Sequence, residues 1–290
     1  MGFYFLDGLM RFLGLIPLRV LYVFTDISYF ILVYVLRYRR KVIMENLEAS
    51  FPEKTDKELR RIARRYYRHM CNLAAEICRF RTMPEREIKR RCRILNTGVI
   101  RDFCDRGKSV ICLLAHYGNW EWLSSMPLHM EGMKFLPLYK PLRNKGVDRM
   151  MLKVRSRFGA EPLPKNRVLR VMARHISAGS VFIGGFIADQ LPHREGAHWM
   201  DFLNRDTPVF IGAEKIADKF SLPVVVLSME RVKRGYYTAE FLPLKREGEK
   251  KAPGEITETY MRMLEARIRE NPEYWLWSHK RWKYGREWYV

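Results

Sequence analysis

The chain has 290 residues, 48% of them hydrophobic, and 53 Lys and Arg against 32 Asp and Glu leave a net charge of +21. That length suits one large α/β domain or two small ones, and the apolar content excludes wholesale disorder. The charge points to an anionic partner: nucleic acid, an anionic membrane face, or an acidic protein or substrate.

Residues Phe3 to Leu36 are rich in Leu, Phe, Tyr, Val and Ile, interrupted by Asp7, Arg11, Arg19 and Asp26. The basic start and small-residue cleavage site of a secretory signal are missing. The longest stretch without a basic residue, Val20 to Leu36, would reach roughly 25 Å as a helix, short of the ~30 Å hydrocarbon core. Arg37-Tyr38-Arg39-Arg40-Lys41 follows, and the positive-inside rule makes that flank cytoplasmic. The expectation is a monotopic or shallowly inserted anchor. A single span and an ordinary buried helix pair are the alternatives. Between Arg37 and Arg93 lie 18 basic and 8 acidic residues, which suits an anionic inner leaflet.

Thr55-Asp56-Lys57-Glu58 reads as a capping box opening a helix. Leu59, Ile62, Tyr66, Met70, Leu73 and Ile77 recur at helical spacing behind it. Arg60, Arg61, Arg64, Arg65 and Arg68 fall mostly on the other side. Ser109 to Ala115 then reads as a short buried strand after a Gly turn. Trp120 to Met130 looks helical, Lys134 to Tyr139 is a second strand, and Val147 to Phe158 and Arg167 to Ser177 are helices. Val181 to Ala188 is another buried apolar run. Val209 to Phe220 is expected helical, Pro223 to Met229 and Tyr236 to Leu242 extended, and Glu255 to Glu270 a helix stopped by Asn271-Pro272.

Alternating strands and helices predict an α/β fold, a mixed central sheet flanked by helices, behind an apolar N-terminal membrane-anchoring helical segment. The expected division is 1–41 membrane-associated, 42–93 basic helical and 94–290 the α/β domain. Cys71, Cys78, Cys92, Cys104 and Cys112 are odd in number with no CxxC pair, so neither a disulfide framework nor a zinc site is expected. A reducing, cytoplasm-facing compartment fits them.

Chemistry concentrates where the first central strand ends. His116 follows Ala115 at once, and Glu121 lies five positions on. On an ideal helix five residues advance about 140°, so the pair shares no helical face. They can meet if His116 lies in the strand-to-helix turn, with Gly118 and Asn119 allowing the bend. A carboxylate on one imidazole nitrogen fixes the tautomer and frees the other nitrogen to take a proton. The plainer alternative is a His that caps the helix and a Glu that satisfies its N-terminus. Cys112 is a poor nucleophile partner for His116, because a strand residue four positions earlier sits ~13 Å away. His193 and His198 near Glu195 have no recognisable metal-ligand spacing, so no metal is expected.

The run His116-Tyr117-Gly118-Asn119-Trp120-Glu121 resembles the H-x4-D/E motif of the glycerolipid acyltransferase superfamily, in the form found in the late acyltransferases of lipid A biosynthesis. Other motifs match in order. Asn46-Leu47 and Ser50-Phe51-Pro52 resemble the family's opening, and Tyr139-Lys140-Pro141 its Y-R/K-P segment. Ala188-Asp189-Gln190 resembles its strand-end D-Q. Asn271-Pro272-Glu273-Tyr274-Trp275-Leu276-Trp277-Ser278-His279-Lys280-Arg281 resembles its closing signature.

The resemblance implies an acyltransferase at the cytoplasmic face of a bacterial inner membrane. It would move a fatty acyl group from a thioester on acyl carrier protein, or CoA, to a hydroxyl of a lipid A precursor. No cofactor is implied beyond the thioester co-substrate. The implied partners are the acidic carrier protein, anionic inner-membrane lipids and a glycolipid acceptor, with no nucleic acid. An aminolipid, lysophospholipid or other glycolipid acceptor is the alternative, and a non-enzymatic membrane or nucleic-acid binder a more distant one.

By the same resemblance His116 is the base, oriented by Glu121, and the hydroxyl attacks the thioester directly without a covalent intermediate. Asn119 or nearby N–H groups would stabilise the oxyanion. Arg155 would bind phosphate or phosphopantetheine, or else simply belong to an exposed basic helix. Asp189 would hold such an Arg or line the acceptor pocket, with a helix cap or turn residue as the alternative. His279 and Arg281 would meet acceptor phosphates, or else belong to an interfacial tail.

Overall fold

The structure, a computed structural model, describes residues 2–192 and 197–289. It opens on α1 (Gly2–Leu15) and α2 (Leu18–Phe30), and a π-helical turn at Ile31–Val35 prolongs α2. Pro17 separates the two helices because its ring removes the N–H that would continue α1. Next come α3 (Arg40–Ser50), α4 (Asp56–Phe80) and α5 (Glu85–Arg91). The expected capping box starts α4: Glu58 Oε2 accepts from Thr55 N–H at 2.8 Å, and Thr55 Oγ1 accepts from Glu58 N–H. The predicted apolar face of α4 packs inward, with Leu59, Ile62, Tyr66 and Leu73 buried and Arg60, Arg61, Arg64, Arg65 and Arg68 exposed.

From there the chain alternates. It runs β1 (Cys92–Leu95), α6 (Gly98–Cys104), β2 (Val110–Leu114), a 3-10 helix (Trp120–Leu128), β3 (Lys134–Tyr139), α7 (Lys145–Arg155) and β4 (Leu163–Pro164). It continues with α8 (Val168–Ser177), β5 (Phe182–Ile187), β6 (His198–Phe202), β7 (Arg205–Val209), α9 (Gly212–Lys219), β8 (Val224–Lys233), β9 (Tyr236–Lys245) and α10 (Glu255–Glu270). Among the described residues, seven strands form one sheet in the order β1-β9-β8-β2-β5-β3-β4. β8 and β9 pair antiparallel and the other neighbours pair parallel, so the sheet is mixed as expected. All five residues of β2 are buried, as a central strand covered on both faces requires.

β2 and β5 are neighbours, but the chain leaves them in opposite directions, from β2 toward β3 and from β5 toward β8 on the far side of β2. Such a switch opens a crevice at the C-terminal ends of the strands.

Several local expectations change. Val209 ends β7 opposite His198 instead of starting a helix. That hairpin turns on Leu203 and Asn204 at φ 54° and 60°. A Leu at positive φ carries no turn signature, so the sequence conceals it. Residues 120–128 wind as a 3-10 helix containing Pro127, which cannot donate to an α-helical ladder. Arg93 lies inside β1, opposite Thr238 of β9. The helical part and the sheet share their cores, since Tyr66 and Tyr67 of α4 pack with Ile111 and Trp277 on one side while Ala75 and Phe80 pack with Val110 and Trp122 on the other.

The N-terminal pair is half covered. Leu18, Leu21, Tyr22, Thr25 and Tyr29 of α2 are buried, while Val23, Phe24, Ile27, Phe30, Val35 and Leu36 are exposed, as are Phe5, Phe12 and Leu15 of α1. Leu18–Val35 is long and apolar enough to cross a membrane, with 18 residues at a mean hydropathy of 1.6. Yet α2 is tied to the fold: on its inner face Tyr22 donates to Glu76 at 2.8 Å and Thr25 to Asn72 at 3.1 Å, and at its exposed edge Arg234 donates to Asp26 at 3.0 Å.

Candidate active site

The register of two strands builds the site. Leu114 of β2 pairs with Ile187 of β5, and Ala188 N–H donates to the Leu114 carbonyl at 3.1 Å. Two residues beyond each member of that pair stand His116 and Asp189. His116 Nδ1 lies 2.8 Å from Asp189 Oδ1, and the His116 backbone N–H donates to Oδ2 at 3.2 Å. The Trp275 indole N–H donates to the same Oδ2 at 2.9 Å. Asp189 is fully buried. Burial pushes its carboxyl up, but the His116 charge and the three hydrogen bonds hold it below the usual carboxylate range. An ionised Asp189 keeps the proton of a neutral imidazole on Nδ1 and leaves Nε2 as an acceptor. Nε2 faces the Gln190 amide nitrogen at 3.3 Å. The His116 ring meets Trp120 edge to face, 5.2 Å between centroids.

The turn expected between His116 and Glu121 exists. Gly118 sits at φ +62°, and a Cβ there would stand 3.0 Å from the Met229 side chain, so any other residue would be strained and crowded. The turn carries Glu121 elsewhere than the imidazole. Its two oxygens accept from Arg155 Nη2 at 2.6 Å and Nε at 2.9 Å, a bidentate pair at the end of α7. The hydrogen-bonded carboxylate partner of His116 is therefore Asp189, brought across the sheet by register, where sequence spacing pointed to Glu121. Arg155 is largely buried in this pair. Burial alone would lower its pKa, but Glu121 raises it.

Asn119 is committed inward. Its Oδ1 accepts from the Trp122 N–H at 3.3 Å, capping the 3-10 helix, and its Nδ2 donates to Glu76 Oε2 at 2.7 Å. Glu76, fully buried on α4, also accepts from Tyr237 and Tyr22 hydroxyls at 2.8 Å each. Burial raises its pKa, against the pull of those donors and of Arg231. His69, two turns before Glu76 on the same face of α4, lies with Nε2 3.1 Å from the Gly118 carbonyl, and burial pushes its pKa down to about 3. A neutral ring can donate there.

The closing segment lines the same crevice. Gly118 N–H donates to the Tyr274 carbonyl at 3.0 Å. Arg281 is fully buried and donates to the Pro208 carbonyl at 2.6 Å, while its Nε and Nη1 have no hydrogen-bond partner among the described residues. Burial lowers its pKa to about 10. His279 is pushed down to about 4 by burial, with Asp189 opposing. Its carbonyl accepts from Asn46, which also holds the Trp277 carbonyl.

Cys112 is buried and its thiol is pushed up, as fits a core residue. His198 pairs with Glu258 at 2.6 Å, and His193 and Glu195 lie outside the described residues. Among the described residues no group of three His, Cys, Asp or Glu is placed to hold a metal ion.

Sequence reasoning missed Gln190, Trp275 and Glu76. The signal for Glu76 was present: His69, Asn72 and Glu76 form a polar stripe at helical spacing inside the apolar face of α4. Gln190 and Trp275 sat within recognised motifs, but only the fold brings them to His116 and Asp189.

A sequence profile of the bacterial lipid A biosynthesis acyltransferases matches residues 1–284. A lipid A biosynthesis acyltransferase of Haemophilus influenzae is 22% identical over 235 residues, covering 80% of this chain and 72% of that protein.

Proposed function

The chain belongs to the bacterial lipid A biosynthesis acyltransferase family and is an acyltransferase, and we propose that it moves a fatty acyl chain from an acyl carrier protein thioester to a hydroxyl of a lipid A precursor. The observation that carries the mechanism is the His116–Asp189 pair at the switch point of the sheet. Asp189 keeps the Nδ1 proton in place. An acceptor hydroxyl takes the place of the Gln190 amide at Nε2 and gives up its proton there as its oxygen attacks the thioester carbonyl. The C–O bond forms, the C–S bond breaks, and His116 returns the proton to the departing thiolate. A base of this kind supplies typically 10²–10⁴-fold, and positioning contributes much of the remainder.

Glu121 and Arg155 serve this reading as one unit. Their ion pair braces the loop after β2 against α7. The oxyanion falls to backbone N–H groups of that loop, since the Asn119 amide is engaged by Glu76. The unpartnered nitrogens of buried Arg281 suit a phosphate of the acceptor.

The protein is membrane-associated, and the bonds from α2 to α4 and Arg234 support a monotopic seat in which the exposed apolar faces of α1 and α2 enter the interface. We place that seat on the cytoplasmic side of the inner membrane, where an acidic carrier protein would meet the +21 charge.

The test is thioester release from acyl carrier protein by detergent-solubilised protein, with a lipid A precursor, a lysophospholipid, an aminolipid or no acceptor. Acylation of the lipid A precursor that His116→Ala abolishes is the expected result. Acylation of a different lipid instead would overturn the acceptor, and transfer surviving His116→Ala would overturn the mechanism.

A further inference from the structure

We propose that the groove between α3 and α4 binds the phosphate of an anionic membrane phospholipid, whose acyl end lies along the apolar π-turn Ile31–Val35. The groove has a volume of about 440 Å³, within the size range of small-ligand sites. Its floor is apolar, from Val33, Ile43, Ala63 and Tyr67, and its walls carry Arg40, Arg60, Arg64 and Glu48. Arg60 and Arg64 are one turn apart on α4 and face Arg40 on α3, so three guanidinium groups meet one carboxylate.

These cations are not spent on the protein. Arg60 has one long contact to Asp56 at 3.4 Å between two highly exposed side chains, which is worth little. Arg40 and Arg64 have no ion-pair partner among the described residues. Glu48 has none either, and the Tyr67 hydroxyl is already donating to the Tyr38 carbonyl.

A free anion would use the arginines and leave the apolar floor wet. The π-turn that lends Val33 and Tyr34 to the groove also carries Ile31 and Val35, with Leu36 just beyond it, and these are 47%, 71% and 65% exposed. Phosphate recognition beside an uncovered hydrocarbon path is the chemistry of a phospholipid, and arginine is the side chain best fitted to its phosphate. The groove is separate from the catalytic crevice. Asn46, which holds the Trp277 and His279 carbonyls, lies about 200° round α3 from Met44 on the groove side. The proposal rests on the membrane seat of α1 and α2 argued above. It adds a discrete headgroup site that would set the angle at which the crevice meets the bilayer.

The experiment joins vesicle flotation with native mass spectrometry of the full chain released from detergent. Vesicles of phosphatidylcholine alone and with phosphatidylglycerol are compared, and each lipid is titrated singly. The expected result is one retained phosphatidylglycerol and little phosphatidylcholine. Arg40→Gln with Arg64→Gln should weaken retention about fivefold per arginine, on the order of 25-fold together, with acyl transfer to detergent-dispersed acceptor unchanged. Glu48→Gln should raise retention several-fold, a gain that a misfolded variant cannot produce. Equal retention of phosphatidylcholine, an unaffected double variant, or displacement of lipid by millimolar inorganic phosphate would each overturn the site while leaving the seat intact. Failure of the wild type to float with either vesicle would overturn the seat and the site with it.

Discussion

Asp189 and Glu76 are both fully buried carboxyl groups standing behind the loop after β2, and the protein handles them in opposite ways. Asp189 faces an imidazole that can carry a positive charge, together with two N–H donors, and is held below the usual carboxylate range. Glu76 is surrounded by neutral donors, the hydroxyls of Tyr22 and Tyr237 and the Asn119 amide, and burial wins over them to raise its pKa. A chargeable partner within hydrogen-bond reach decides whether a buried acid stays ionised. The first arrangement suits proton transfer. The second suits a brace, one that joins the N-terminal helix α2 to the loop after β2.

The largest effect expected from breaking this contrast is on rate. Asp189→Asn keeps the shape of the group and removes its hold on the Nδ1 proton. Initial rates of thioester release should fall about 10³-fold, within the range for losing a correctly oriented base. Glu76→Gln should cost less than about tenfold, because it disturbs positioning alone. Equal losses in the two variants would erase the distinction between base partner and brace.

Glu121 extends the comparison to a third buried acid, this one neutralised by a permanent cation. Arg155→Met strands that carboxylate and should destabilise the protein by about 3 kcal/mol in denaturant unfolding, whereas Arg155→Met with Glu121→Gln should recover much of the loss. Absence of recovery would mean that Arg155 acts through packing and not through charge.

The pH dependence of stability sharpens the contrast, since the two acids carry opposite signs. Asp189, depressed in the fold, contributes stability that is present above its unfolded value near 3.9 and is lost as pH falls through the lower folded value. Glu76, raised in the fold, binds its proton more tightly than the unfolded chain does. Its contribution therefore declines as pH rises from about 4.3 toward the folded value. Melting temperatures across pH 3 to 8 should show Asp189→Asn flattening the acid limb and Glu76→Gln flattening the decline above it. Tyr22→Phe is expected to have the smallest effect, about 1 kcal/mol of stability for one hydrogen bond, with transfer in detergent nearly unchanged. A large loss of transfer would instead make the α2 contact part of the site's geometry.

Much of the fold was legible locally. Apolar runs located β2, β3, β5 and β8 because a central strand buried on both faces reads as an uninterrupted hydrophobic stretch. The capping box at Thr55 and the stripe from Leu59 to Leu73 located α4. The β6–β7 hairpin escaped because Leu203 gives no turn signal, and β1 escaped because Cys92-Arg93-Ile94-Leu95 is too short to show a period. The sequence pointed to His116 from its place at a strand end, and to Arg155 and Asp189 from motif resemblance, but not to the contacts of His116 with Asp189 and of Arg155 with Glu121.

The sequence by itself determined that a titratable histidine follows a buried strand, that an acid and an amide follow another at the same offset, and that an apolar N-terminal segment runs directly into a basic one. It also placed Glu121 near His116 along the chain, which proved a poor guide to contact. Only the tertiary structure decided which carboxylate serves the imidazole. That choice rests on the parallel register Leu114 to Ile187, a relation between residues 73 positions apart that no helical or strand period encodes. The same holds for Glu76, whose donors come from α2, the loop after β2 and β9. Local chemistry is written in neighbouring residues. Partner choice among buried charges depends on which side chains the sheet order brings together in a medium where an unpaired charge is costly.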